Sequence, residues 1–393
     1  MGLNHDLISL AFASAGLNFF VLGLIANPKS QQHRLLMLAT VTSHYLLSFY
    51  WVTPTYALFT YLHGVQLFFS FLRLTDFLYL NGGDRKLQGQ EQPTPSLSFL
   101  DRIKWGVKYS ISIRWIGWEM ESKAALLPRR TWNSRQKFLF YQFIWAITYG
   151  IMLDIALLPI TFRPSVSGDP TKTASYPLIW RYMIIGVTPP IACLGLQITY
   201  SICSILLVLF DLSNPNEWPP LFGPLKESYT IRRLWGRTWH QFFRVDGTKA
   251  LLNHAQYFTD GFLKLKNRKL KNLVQLFTVF FLSGLIHEAG DYAVHRRWNG
   301  SSMCYFLVQA AGIALEDLLG IPRAIGGKEA SSQKRWVGYI WTYGWSFLTA
   351  PLFVDPALFF VVREGTSYFS PILGISKGEW FPDLGVLRQG SIR

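Results

Sequence analysis

His287, Glu288 and Asp291 stand at the end of the apolar run Phe277–Gly290, where ionisable side chains are out of place. An imidazole has an ordinary pKa near 6.5. It is mostly neutral at cytosolic pH and can take a proton from a reacting group. Glu288, next in the chain, is a supporting carboxylate able to orient that ring or set the local proton balance. A charge near the centre of a span costs about 2.5–3.5 kcal/mol on insertion scales, and a neutral histidine near a helix end costs less. Two readings of His287 follow: a hydrated residue marking the exit of a span, and a proton acceptor in a polar chamber among helices. Zinc-protease chemistry needs H-E-x-x-H. Position 291 is Asp291, so that site fails and no metal is expected.

A second segment, Ile231–Arg244 (IRRLWGRTWHQFFR), combines cations, aromatics and His240. As a helix it would place Arg233, Arg237, Gln241 and Arg244 on one face, with Trp235, Trp239, Phe242 and Phe243 over another. Such a helix suits a membrane surface, with its cations uppermost. Gly236 costs about 1 kcal/mol of helix propensity, which points to a packing or approach requirement. His240 is placed to point inward to a site. Nearby, His254 reads as a surface histidine. Lys264, Lys266, Arg268, Lys269 and Lys271 read as anchors for the cytosolic end of the following span, with attraction of a polyanion as the weaker reading. Asp154 lies within one apolar run and Glu316-Asp317 near the end of another, positions from which carboxylates line cavities.

The elements that position these residues are written in the composition. Of 393 residues half are hydrophobic and 16% charged, against about 25% charged in soluble domains. Apolar blocks alternate with basic ones. The spans expected are Leu7–Ala26, Leu35–Val52, Thr55–Leu72, Phe138–Ile160, Tyr182–Phe210, Leu273–Gly290, Met303–Ile321 and Trp336–Val362. The fifth run is too long for one upright helix and contains Pro189-Pro190, so it reads as one kinked helix or two short elements. The last run is interrupted at Pro351 and Pro356. The first run has no basic residue before it and reads as a transmembrane helix, in the manner of an uncleaved signal.

With the N-terminus in the lumen, the cytosolic connections carry 2, 12, 11 and 4 Lys and Arg. The lumenal connections Thr161–Tyr176 and Asp291–Ser302 carry 2 each, as the positive-inside rule predicts. Asn299-Gly300-Ser301, an N-glycosylation triplet, then falls in the lumen. The net charge of +15 sits between hydrophobic spans and points to lipid headgroups, so nucleic acid is not an expected partner. Trp105, Tyr109, Ile113 and Trp115–Trp118 interleave with Lys104, Lys108 and Arg114 as in an interfacial amphipathic segment. Cys193, Cys203 and Cys304 have no pairing or zinc spacing. The expectation is an all-α polytopic membrane protein of about eight transmembrane helices, residues 1–393 forming one membrane-embedded domain.

The W-G-R-x-W-H segment at Trp235–His240, followed by S-G-x-x-H-E at Ser283–Glu288, resembles the wax synthase-like branch of the membrane-bound O-acyltransferases. The motif match covers Arg232–Gly290 and centres the domain on residues 228–292. The resemblance implies helices enclosing an intramembrane reaction chamber and acyl transfer from acyl-CoA to a hydroxyl. It implies His287 as general base and His240 as the second catalytic residue. Arg233, Trp235, Arg237, Trp239, Gln241 and Arg244 would meet acyl-CoA, with Glu288 and Asp291 supporting. The H-x-x-x-D pattern of His287 and Asp291, used by some soluble acyltransferases, is read as coincidence. The chain is similar in character to fungal members that acetylate lipophilic terpenoids or meroterpenoids. That implies acetyl-CoA as cosubstrate, a lipophilic alcohol as acceptor, no bound cofactor and an endoplasmic reticulum membrane. Long-chain wax ester synthesis is the rival within the class. A proton-coupled transporter, with His and Asp as relay, is the rival outside it.

Overall fold

Every regular element in the described residues is helical. The computed structural model describes residues 30–51, 57–80, 97–111, 118, 131–240, 247–321, 325, 332–363 and 367–384. In chain order the principal helices are α1 (Gln31–Trp51), α2 (Ala57–Thr75, continued by a π turn at Asp76–Leu80), α3 (Phe99–Ile111), α4 (Arg135–Thr161) and α5 (Leu178–Leu209). They continue with α6 (Gly247–Gln256), α7 (Arg268–His295), α8 (Ser301–Leu318), α9 (Ser332–Thr349), α10 (Pro351–Arg363) and α11 (Pro371–Lys377). Among the described residues there is no strand. An isolated antiparallel bridge joins Ser367 and Asp383.

Among the described residues three helices are long and apolar enough to cross a bilayer by length and composition: α4 (27 residues), α5 (32) and α7 (28). At about 1.5 Å per residue each exceeds the roughly 30 Å hydrocarbon layer. Their starts are set by local chemistry. Ser134 accepts from the Lys137 N–H, and Asn267 accepts from the N–H groups of Lys269 and Leu270, satisfying donors that a helix start leaves open. Along α4, Phe140, Phe143, Ile147, Ile151 and Ile155 are exposed, the surface a lipid-facing helix presents.

Of the eight expected spans, three meet this criterion among the described residues. The run Leu7–Ala26 lies outside the described residues. The described parts of Leu35–Val52 and Thr55–Leu72 are helical, as α1 and α2, and Met303–Ile321 is helical as α8 to Leu318 and turns at Leu319–Gly320. Tyr182–Phe210 lies in a single helix that runs through both prolines. Trp336–Val362 divides at Ala350, where Pro351 opens α10, a position at which a missing N–H costs nothing.

The chain divides into two compact units. The first comprises Met1–Leu126 and Gln241–Leu315, the second Leu127–His240 and Glu316–Arg393. In the first, α2 packs against α7 and α6. Beside them Phe77, Trp105, Tyr109 and Trp118 form a buried aromatic cluster with Val41, Tyr45, Leu74 and Leu78. The Arg73 guanidinium lies 5.1 Å from the Tyr109 ring centre and donates to the Tyr109 carbonyl at 3.1 Å. Trp105, Tyr109 and Trp118 thus face a protein core rather than headgroups. Burying rings of this size outweighs keeping their polar edges wet. Residues 112–117 of that stretch lie outside the described residues.

In the second unit α4 and α5 pack along each other. A core of Ile160, Tyr176, Ile184, Ile185, Val354 and Leu358 joins them to α10. Two carboxylates tie connections to this core. Asp154 accepts from Ser370 Oγ at 2.6 Å and from the Ile372 N–H at 2.9 Å, at the start of α11. Asp355 accepts from the Thr173 N–H at 2.9 Å and its hydroxyl at 2.8 Å. Asp154, expected to line a cavity, instead anchors a helix start, because a buried carboxylate is tolerated when backbone donors surround it.

Candidate functional site

The helix bearing His287 does not end at Gly290. It runs on to His295, so His287 lies eight residues, about 12 Å, inside its C-terminus. His287 therefore lies within the helix and not at its end. After Arg296, in the left-handed conformation, a short turn leads into α8 at Ser301.

Two close helix approaches shape the surroundings of His287. Gly284, one turn before it, faces α8. A methyl group there would lie 2.8 Å from the Met303 Cα and 3.3 Å from its carbonyl oxygen. Its absence lets α8 come close, and Phe306 stacks on the imidazole with ring centres 4.8 Å apart and planes 15° apart. The second approach is between α2 and α7. A methyl at Gly64 would meet the Ala289 carbonyl oxygen at 2.5 Å and the Gly290 Cα at 2.9 Å, and one at Gly290 would meet the Tyr61 ring at 2.8 Å. Small residues at a crossing allow backbones this near, which suits packing in lipid. The crossing delivers Tyr61, whose Oη lies 2.7 Å from His287 Nδ1. The glycine of S-G-x-x-H thus has a steric purpose, and His287 is held between two rings while remaining partly accessible.

Glu288 and Asp291 serve the connection rather than the histidine. Glu288 is fully buried, and its Oε1 accepts from the N–H groups of Asn299 at 3.1 Å and Gly300 at 2.7 Å. Asp291, also buried, accepts from Ser302 Oγ at 2.5 Å. Both carboxylates fasten α7 to the start of α8. That is the arrangement expected of an anion offered backbone donors at a helix N-terminus. Asn299 is exposed, and its Oδ1 accepts from the Ser301 N–H at 2.7 Å.

The second segment departs further from expectation. A single α turn, Ile231–Arg233, passes into a π turn, Leu234–Thr238, and the chain is extended at Trp239. A continuous helix to Arg244 is therefore not formed. At this point the Thr238 carbonyl accepts from the Gly223 N–H at 3.0 Å. Gln241 and Arg244 lie outside the described residues. Glu316, fully buried, accepts from the N–H groups of Ile231 at 2.6 Å and Arg232 at 3.1 Å, and from Trp341 Nε1 at 3.1 Å. Arg232 pairs with Asp317 at 2.5 Å. Glu316 and Asp317 thus fix the segment's beginning.

The expected acyl-CoA contacts separate by environment. Arg233 pairs with Glu227 and lies 4.4 Å from the Tyr229 ring centre. Burial, then the neighbouring Arg237 and Arg335, lower its guanidinium from the usual value. Arg237 reaches the same glutamate at 3.7 Å and stays 42% exposed. Arg335 lies 5.5 Å from the Tyr229 ring centre. Three guanidiniums therefore gather around one glutamate and one tyrosine, a surplus of positive charge. Trp235 and Trp239 meet edge-on at 5.8 Å, and His240 adjoins Trp239 at 5.4 Å and Phe222 at 6.3 Å. His254 is half-buried and not freely exposed. It bridges the Ala250 carbonyl at 2.7 Å and Thr75 Oγ1 at 2.9 Å.

Known proteins share this chain's central region and much of its length. The profile described as "Membrane bound O-acyl transferase family" matches residues 218–308, from the cationic segment through Phe306. Acetyltransferase ple2 of Rhodocybe pseudopiperita is 33% identical over 322 residues, which cover 81% of this chain and 83% of that one. The chain belongs to the membrane bound O-acyl transferase family. Acetyltransferase eriL of Hericium erinaceus is 31% identical over 322 residues (79% and 81% of the two chains). O-Mevalon transferase yanI of Aspergillus niger is 30% identical over 299 residues (67% and 63%). No solved structure matches. As a member of the membrane bound O-acyl transferase family the protein is an acyl-transferring enzyme that associates with membranes, and an acyl-CoA cosubstrate is implied. The transporter reading is set aside. Tyr61 and Glu316 lie outside the matched family region and were not singled out for these tasks in the sequence. Tyr61's only local signal is Gly64, three residues on.

Proposed function

We propose that this enzyme transfers acetyl from acetyl-CoA to a hydroxyl of a lipophilic terpenoid or meroterpenoid, as an integral multi-pass protein of the endoplasmic reticulum membrane. The observation that carries the mechanism is His287, set inside an apolar helix and held between Tyr61 and Phe306. The acyl choice is supported by two relatives named acetyltransferases, each aligned over about four-fifths of this chain.

In the reaction the alcohol oxygen attacks the thioester carbonyl carbon while its proton passes to His287. The tetrahedral oxyanion collapses, the C–S bond breaks, and the thiolate leaves. A thiol has an ordinary pKa of about 8.5, so departure is easy and alcohol activation is the demanding step. The proton moves from His287 to the thiolate, giving ester, CoA thiol and neutral imidazole. His240 is assigned hydrogen-bond donation to the acyl carbonyl oxygen, a contribution of about 2.7–4 kcal/mol where such donors have been removed. Arg237, with Arg233 and Arg335, supplies positive charge for the CoA phosphates. Trp235 and Trp239 line the approach.

The test is incubation of enzyme-bearing membranes with radiolabelled acetyl-CoA, or palmitoyl-CoA in parallel, and a panel of polycyclic and long-chain alcohols. Labelled acetate in a polycyclic ester is the expected result. Palmitate on a fatty alcohol would establish wax ester synthesis instead. Absence of any ester with either donor would overturn the assignment.

A further inference from the structure

Imidazole has two nitrogens, and only one carries the proton when the ring is neutral. The hydrogen bond made by one nitrogen decides which is left to act. For His287 the decision falls at Nδ1, 2.7 Å from the phenolic oxygen of Tyr61. We propose that Tyr61 is a positioning residue that accepts a hydrogen bond from His287 Nδ1–H, so that Nε2 presents the lone pair that takes the alcohol's proton. This rests on His287 being the general base.

That polarity serves the proposed chemistry through the whole cycle. If the phenol donated to Nδ1, the ring proton would sit on Nε2 and the base would have no lone pair there. With Nδ1–H donating, Tyr61 Oη remains the acceptor when the ring is neutral and when it is imidazolium. The alcohol's proton arrives at Nε2 and leaves from Nε2 to the thiolate, and the Nδ1 proton never moves. No hydrogen bond must reverse during turnover.

The supports of Tyr61 suit such a role. Its ring lies against the bare Cα of Gly290, where a methyl would come within 2.8 Å. Gly64, three residues further along α2, lets the two backbones meet. The phenol is therefore located by two helices in contact. A face of the imidazole is stacked on Phe306, which restrains the ring plane. Free imidazole side chains favour the proton on Nε2, so the protein must tip the balance, and Tyr61 is the group placed to do it.

The test joins kinetics to a direct reading of the tautomer. Tyr61→Phe keeps the ring in its seat and removes the oxygen. The expected result is a kcat lowered about 10- to 100-fold, by analogy with loss of a group that orients a catalytic histidine, with both KM values within about twofold. Nitrogen-15 solid-state NMR of histidine-labelled enzyme in lipid, assigned by difference from His287→Ala, should show the proton on Nδ1 in the wild type and on Nε2 in Tyr61→Phe. A wild-type His287 protonated on Nε2 would overturn the proposal, and so would unchanged kcat in Tyr61→Phe. The wild-type spectrum needs no variant to fold. Full turnover in His287→Ala would sink the base assignment itself. An inactive His287→Ala beside a fully active Tyr61→Phe would sink only the role of Tyr61.

Discussion

The two motif regions use the same electrostatic device and differ in what it holds. In each, a fully buried glutamate accepts two consecutive backbone N–H groups: Glu288 those of Asn299 and Gly300, Glu316 those of Ile231 and Arg232. Glu288 is carried by the helix that carries His287, so the motif fastens its own helix to the next one. Glu316 lies 85 positions from Ile231 and holds a segment whose helix then fails. In the first region a regular helix presents the chemistry and rings steady it. In the second a π turn and an extended residue place Trp239 and His240, with cations grouped around Glu227. Adjacent residues can therefore have separate duties: His287 faces the reactants under the present account, and Glu288 faces the chain.

Four tests break or sharpen that comparison, in decreasing order of effect. His240→Ala should lower kcat by about 10²–10³ with little change in thermal unfolding, if the second region contributes a donor to the reaction. Unchanged kcat would leave that region with binding duties alone. Glu288→Ala and Glu316→Ala should each lose about 2–4 kcal/mol of stability, because two buried donors lose their acceptor. The Gln variants, which keep an amide oxygen, should lose less. Denaturant titration in detergent reads the difference, and a neutral Glu316→Ala would end the parallel between the two glutamates. Gly284→Val should cost about 1–3 kcal/mol by forcing α8 away from α7, and kcat should fall with it as Phe306 loses its stack on His287. Wild-type activity would show that the close approach is dispensable. Smallest, Arg237→Ala should raise the acyl-CoA KM about three- to tenfold without moving the melting temperature, since its contact with Glu227 is long and exposed. An unchanged KM would remove Arg237 from CoA recognition.

What could be read from the sequence follows from the range of the forces involved. Helices were legible wherever apolar runs were long. The break near Pro351 was legible because proline acts locally. His287 was legible as an ionisable group in an apolar run. The fate of Glu288 was not, since its partners are N–H groups across a turn that pattern reading took for a loop outside the span. Tyr61 was hidden by 226 positions of separation, and its placement depends on which glycine faces of α2 and α7 meet. The segment Ile231–Arg244 misled for a different reason. Its side-chain periodicity is helical, but the backbone turns extended at Trp239, beside a hydrogen bond between the Gly223 N–H and the Thr238 carbonyl that joins residues distant in sequence. The aromatics of Trp105–Trp118 looked interfacial because composition reports amphipathicity, not which side of the membrane surface is already occupied by protein.

The central claim is that His287 performs the chemistry while Glu288 builds the frame. The most direct test is acyl transfer per folded enzyme, with melting temperature, for His287→Ala and Glu288→Gln prepared alike. The account predicts that His287→Ala melts as wild type does and loses about 10²–10⁴ in kcat. It predicts that Glu288→Gln melts lower and keeps kcat within about threefold of wild type. Wild-type turnover in His287→Ala, or a Glu288→Gln enzyme that melts normally and is inactive, would contradict it.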